Sequence, residues 1–148
     1  MASRDLASDI KVVPALLSVA LSATTNGLII DTKGFESVTF EINVGTATAG
    51  FDSSNKFVVT ASAGNAVNDE TTPTSITDAA TVTSADLIGT PPELDATGDD
   101  EKVYRFGYRG VKRYIRLVFT ETGTAAAPIS ATCILSHARH LPIAEQTT

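Results

Sequence analysis

The sequence contains no tryptophan, one cysteine, one methionine and two histidines, and each scarcity removes a class of function. A lone thiol, Cys133, can form neither an internal disulfide nor a cysteine-based zinc site. Charged residues make up only 19% of the chain, against a usual share of about 25%. The balance among them is acidic, with a formal net charge of −6, which is the wrong sign for a general nucleic-acid binder. Long apolar runs are missing too. Val12–Leu21 is too short to cross a bilayer, contains Pro14, and follows no basic segment. The reading is therefore of a chain with no signal peptide and no membrane anchor.

What the 148 residues do hold is enough for one domain. A hydrophobic share of 43% supports a core, but aromatics are 6% and much of the remainder is alanine, so the core is built from small side chains. Threonine and serine stand where charges would otherwise be, a composition that favours strands and turns over helices.

Strand signals recur along the chain. Asn26-Gly27 lies between apolar runs and predicts a type I′ hairpin turn, since both residues tolerate positive φ. Asp31-Thr32-Lys33-Gly34 predicts a second turn. In Ser37–Val44, Val38, Phe40, Ile42 and Val44 alternate with Thr39, Glu41 and Asn43, the period of a half-buried strand. Lys56–Thr60, Val103–Tyr108, Tyr114–Thr120 and Pro128–Ser136 read as further strands, the last with Ile129, Ala131, Cys133 and Leu135 on one face. Residues 62–101 show little periodicity. Such a stretch either hides short strands around Ala80–Ile88 or becomes ordered against a neighbouring subunit. The expected fold is all-β: one β-sandwich or jelly roll over residues 12–143. An N-terminal arm (1–11), helical or extended, precedes it, and a short tail (144–148) follows.

No catalytic constellation stands out. His137 and His140 sit close in sequence, but outside a helix this spacing need not place them on one face, and no third ligand is identifiable. Cys133 alternates with core positions. The acidic run Asp95, Asp99, Asp100, Glu101 lacks the ligand spacing of a calcium loop and reads as a solvated, charge-balancing stretch. There is no phosphate-binding glycine loop and no serine elbow. The chain is thus expected not to be an enzyme, with no metal and no cofactor. The remaining feature is a basic segment, Lys102 to Arg116, interleaved with Tyr104, Phe106, Tyr108 and Tyr114. Arginine and tyrosine are enriched in protein interfaces, and the acidic chain as a whole favours docking on an acidic protein surface over nucleic acid. The expected contact residues are Arg105, Tyr108, Arg109, Lys112 and Arg113 on a hairpin, with Leu6 and Ile10 in the arm.

These residues carry a resemblance. The segment Asn26-Gly27…Ile30-Asp31-Thr32-Lys33-Gly34-Phe35-Glu36-Ser37-Val38 is similar to the N-terminal half of small virion proteins encoded in the head gene clusters of tailed bacteriophages, as is Ile42-Asn43-Val44-Gly45-Thr46. Ala85-Asp86-Leu87-Ile88-Gly89 resembles their second half. So do Tyr104–Arg116, with the core Gly107-Tyr108-x-Gly110-x-Lys112-Arg113-Tyr114-Ile115-Arg116, and Ser136-His137-Ala138-Arg139-His140-Leu141-Pro142. The likeness spans most of residues 10–143 and is weakest at 50–80, where the relatives have a more compact Asp-Gly hairpin. It implies a capsid decoration or cement protein on the outer surface of the phage head, partnered with the major capsid protein and self-associating, with a trimer as the expected form. It carries no catalytic residues. A head–tail connector or tail component is the alternative role, and a carbohydrate-binding host-recognition module is a third, disfavoured by the missing tryptophan.

Overall fold

A computed structural model describes residues 6–139 of the chain. Six long strands, β1 (Ile10–Leu21), β4 (Phe35–Val44), β5 (Lys56–Gly64), β9 (Lys102–Tyr108), β10 (Tyr114–Thr122) and β11 (Ala127–Ala138), form the framework. Five two-residue strands complete it: β2 (Thr25–Asn26), β3 (Ile30–Asp31), β6 (Ala80–Thr81), β7 (Leu87–Ile88) and β8 (Glu93–Leu94), with a 3₁₀ turn at Ser84–Asp86. The strands make two antiparallel sheets. One runs β1-β11-β4-β9-β7; the other runs β2-β10-β5-β6, with β3 also on β10 and β8 also on β5. The all-β sandwich expected from the period-two segments is what the chain forms.

Alternation decides which side chains fill the space between the sheets. Val38, Phe40, Ile42 and Val44 of β4 are buried, as are Ile115, Leu117 and Phe119 of β10 and Ile129, Ala131, Cys133 and Leu135 of β11. Phe40 packs on Phe106 at 5.4 Å between ring centroids, and Phe51 meets Phe57 edge-on at 6.3 Å. Cys133 is fully enclosed, and burial pushes its thiol up to about 12, so it serves as a small apolar core group.

Residues 62–101 do contain the short strands expected around Ala80–Ile88. They act as a strap along one side of the sandwich. β6 pairs with the end of β5, β7 crosses to β9 in the other sheet, and β8 returns to the start of β5. The Val59 N–H donates to Pro92 C=O (3.1 Å) and the Val82 N–H to Ala61 C=O (2.8 Å), so this strap covers the open edge of β5. Before it, residues 65–78 fold over the outer face of the second sheet. There Val67 bridges Ile76, and Ile76 is buried, as is Tyr114.

Two sequence expectations fail. Asn26-Gly27 is not a type I′ turn, because neither residue has positive φ. Gly27 is needed instead for close approach: a Cβ there would lie 2.5 Å from Ala15 O. Its N–H donates to Leu117 O (2.8 Å) while the Leu28 N–H donates to Ala15 O (2.7 Å), joining the two sheets at that edge. Nor is Tyr108–Arg116 a hairpin. β9 belongs to one sheet and β10 to the other, so residues 109–113 cross the end of the sandwich. The inward alternation of both strands satisfies either topology, which is why periodicity could not distinguish them. Ile10 and Lys11, expected in the arm, already pair in β1, and Leu6–Asp9 form a turn closed by the Asp9 N–H to Leu6 O (3.0 Å). Residues 1–5, His140 and the 144–148 tail lie outside the described residues.

Candidate docking surfaces

The crossing at 109–113 brings distant segments together at one end of the sandwich. The Thr32–Gly34 turn enters β4 there, with Gly34 at φ +89° and the Phe35 N–H on Thr32 O (3.0 Å). β11 ends beside it, its Arg139 N–H on Gly34 O (3.0 Å). Between them opens a cleft of about 440 Å³ whose lining includes Lys33, Phe35, Glu36, Tyr108, Val111, Lys112, Arg113 and Arg139. Val111 stands 95% exposed at the tip of the crossing.

The expected contact residues divide by environment. Tyr108 is buried, and its hydroxyl accepts the Lys112 N–H at 3.0 Å, which shapes the crossing from inside. Arg109 donates through Nε to Ala85 O (3.0 Å) and through its N–H to Asp86 O (2.9 Å), pinning the 3₁₀ turn. Arg113 is the most engaged. Its Nε and Nη2 donate to the two carboxylate oxygens of Asp31 at 2.9 and 2.7 Å, and its guanidinium lies 4.6 Å from the Tyr114 ring centroid and 3.7 Å from Glu70. Arg105 sits apart on the outer face of the first sheet, opposite Glu41. Ile10 is half-buried opposite Ser136, close to the cleft end of the same sheet, and Leu6 is exposed just before it. The cleft therefore unites Tyr108, Lys112 and Arg113, and adds Lys33 and Arg139, which sequence reasoning missed. Nothing in the spacing of Lys33, Lys112 and Arg139 signals that they share a cleft, because the signal is purely long-range.

Burial pushes the Asp31 carboxyl upward, but the hydrogen bonds from Arg113 and the Lys33 N–H, with both positive charges, outweigh it and hold its pKa below the ordinary carboxylate value. A depressed folded-state pKa contributes stability that is fully present above the unfolded value of about 3.8 and lost as pH falls through the folded one. The Asp31→Asn variant should lose on the order of 1 kcal/mol at pH 7, the upper range for a bidentate, partly exposed pair. It should also show a smaller further loss between pH 4 and 2 than the wild type. Urea midpoints at pH 7 and below pH 4 measure both, and identical acid sensitivity in the two proteins would remove the pair from this role.

At the opposite end the acidic run is internal wiring. Asp99 accepts the N–H groups of Asp95 (3.2 Å) and Ala96 (3.0 Å), Asp100 accepts that of Ala47 (2.9 Å), and Glu101 accepts the Thr46 hydroxyl (2.9 Å). Asp52 closes its own loop onto Ser54 and Asn55. His137 is exposed with positive φ and lies 3.3 Å from Ser136 Oγ, its one hydrogen-bond partner among the described residues, whereas Cys133 faces the core, so the two do not meet.

No protein-family model and no curated protein matches the chain. Among solved structures, the crystal structure of SPBc2 prophage-derived protein YomS aligns over 86% of this chain and 92% of that one, with 12% identity and a TM-score of 0.39. An overlay that loose carries no argument about this chain.

Proposed function

We propose that this chain is a structural virion protein of a tailed bacteriophage, a decoration protein that binds the outer surface of the head and stabilises the shell as a homo-oligomer, with three copies as the expected form. One observation supports this reading above the others. Parts of three of the segments that carry the family resemblance, residues 32–38, 108–113 and 139, lie far apart in sequence yet line one cleft at one end of the sandwich, while Ile42–Thr46 runs to the opposite end. They are therefore tied to a surface as well as to the scaffold. That surface offers an apolar tip, Val111, beside Lys33 and Lys112, with Arg139 ion-paired to Glu36 at 3.7 Å on the same cleft. Such a mixture suits an acidic, partly apolar patch on the major capsid protein. Each exposed ion pair contributes only about 0–1 kcal/mol. Binding that lasts would come from several copies engaging at once.

Quantitative mass spectrometry of purified virions should find the chain in copy numbers comparable to the major shell protein. About a dozen copies per particle would instead support a connector or tail role, and absence from the particle would end the virion reading altogether. Binding of the isolated protein to heads that lack it should weaken about tenfold in the Lys112→Glu variant, equivalent to about 1.4 kcal/mol. The effect should fade at high salt, as contacts between exposed charges do.

A further inference from the structure

The first sheet ends on an incomplete edge. β9 pairs with β4 along its whole length, but on its other side β7 covers only Gly107 and Tyr108. The phase of the ladder fixes what the uncovered part presents. The Arg109 N–H donates to Asp86 O (2.9 Å) on the β7 side, and in antiparallel pairs the hydrogen-bonded residues alternate along a strand. Val103 and Arg105 therefore aim their N–H and C=O groups away from β4. None of these four groups has a hydrogen-bond partner among the described residues.

The segment after β7 does not complete this edge. Gly89 adopts φ +83°, and the chain leaves for β8, which pairs with β5 in the second sheet. Two exposed side chains flank the open groups on the outer face. Val103 is 59% exposed. Arg105 is exposed as well, and although Glu41 stands opposite it in β4, no ion pair among the described residues includes Arg105. Because Gly107 has no side chain, a groove of about 330 Å³ opens between Arg105, Thr39 and Ile88 and leaves that flank of the arginine uncovered.

We infer that residues 103–105 of β9 accept an extended, acidic segment of another protein, which joins the first sheet as a short strand in line with β7. The backbone selects the conformation. Two N–H and two C=O groups at alternate residues are met together only by a strand. The side chains select the sequence. In the antiparallel sense of this sheet, the residue opposite Arg105 shares its face and is acidic, and the residue two positions later meets Val103 and is apolar. The β9 strand of a second copy does not fit. Paired antiparallel about Tyr104, its Glu101 would fall opposite Gly107, where Ile88 already stands. This edge is separate from the cleft at 109–113, so the inference goes beyond the virion role and does not depend on it.

Amide NMR on the full chain tests this in two steps. In the free protein the Val103 and Arg105 amides should exchange with solvent at least about tenfold faster than those of Tyr104 and Phe106, which face β4. The probe is then the capped peptide Thr-Glu-Thr-Val-Thr, used at up to about 5 mM because a short flexible strand binds weakly. It should shift the Val103 and Arg105 amides and slow their exchange. Replacing its glutamate with lysine, or Arg105 with glutamate in the protein, should weaken binding about tenfold. Val103→Pro removes one outward donor and leaves the β4 ladder intact, so it should fold and lose the peptide. Protection of both amides in the free chain overturns the inference, and protection that grows with protein concentration does so in favour of a second copy. Absence of shifts with the peptide overturns it too, as does binding that survives a folded Val103→Pro. If that variant does not fold, a peptide N-methylated at its glutamate and valine decides the matter, since its binding would show that backbone pairing is not used.

Discussion

Replacing Phe119 with alanine is expected to lower the unfolding free energy by about 3–5 kcal/mol. Phe119 is fully buried on the inner face of β10, with Val59 of β5 opposite on one side and Thr25 of β2 on the other. A strand held on both edges cannot slide inward to fill the space that a phenyl ring leaves. The neighbours cannot fill it either. With no tryptophan and aromatics at 6% of the chain, phenylalanines supply much of the core's bulk, and Ala15, Ala61, Ala63, Ala125, Ala127 and Ala131 supply much of the rest. Alanine has no rotamer to swing into a void, so the full cavity cost should be felt. Against a typical total of about 5–15 kcal/mol, the variant should be marginal or unfolded at 37 °C. Urea denaturation at 25 °C gives the value directly. Val111→Ala, at an almost wholly exposed position, should stay within about 0.5 kcal/mol of the wild type. A Phe119→Ala loss below about 2 kcal/mol would mean that the sheets do close over the gap.

The strands that could be read from the sequence are those whose pattern is local. Val38, Phe40, Ile42 and Val44 announce β4 because alternation is a property of neighbouring residues, and the same holds for Ile129 to Leu135 in β11. The turn at Asp31–Gly34 was legible for a similar reason: Asp31 accepts the Lys33 N–H (2.9 Å), and the positive φ needs a glycine at position 34. Gly27 was misread because glycine has two uses. It permits positive φ, which the sequence suggests, and it permits contact of backbone with backbone, which only the Ala15 and Leu117 carbonyls reveal. The strap was only half legible, since β6, β7 and β8 are two residues each and too short for any period. The cleft was least legible. Lys33 and Arg139 join Lys112 only because the 109–113 segment crosses between sheets, a choice made by long-range packing.

The second large effect is expected at the other end of the molecule, where Gly123→Ala should cost about 2–4 kcal/mol from two separable causes. Gly123 has φ +77° in the turn from β10 to β11, a conformation that an L side chain adopts only at a cost of about 1–2 kcal/mol. A Cβ there would also collide with Ser54 O and Asn55 Oδ1. Neither neighbour can move freely. Asn55 Oδ1 accepts the Thr124 N–H (2.9 Å) and the Thr124 hydroxyl (3.0 Å), and Asn55 is itself held by Asp52. Displacing the amide would break the tie between the β4–β5 loop and this turn, while leaving it in place would force the turn outward. Gly34→Ala isolates the first cause, because Gly34 has φ +89° but nothing within 4 Å of its would-be Cβ; it should lose only about 1 kcal/mol. Thermal melts of the two variants, compared at equal protein concentration, give the difference that belongs to the collision. Equal losses would mean that the Ser54–Asn55 loop yields at no cost, and that the tie to Thr124 does not hold the two turns together.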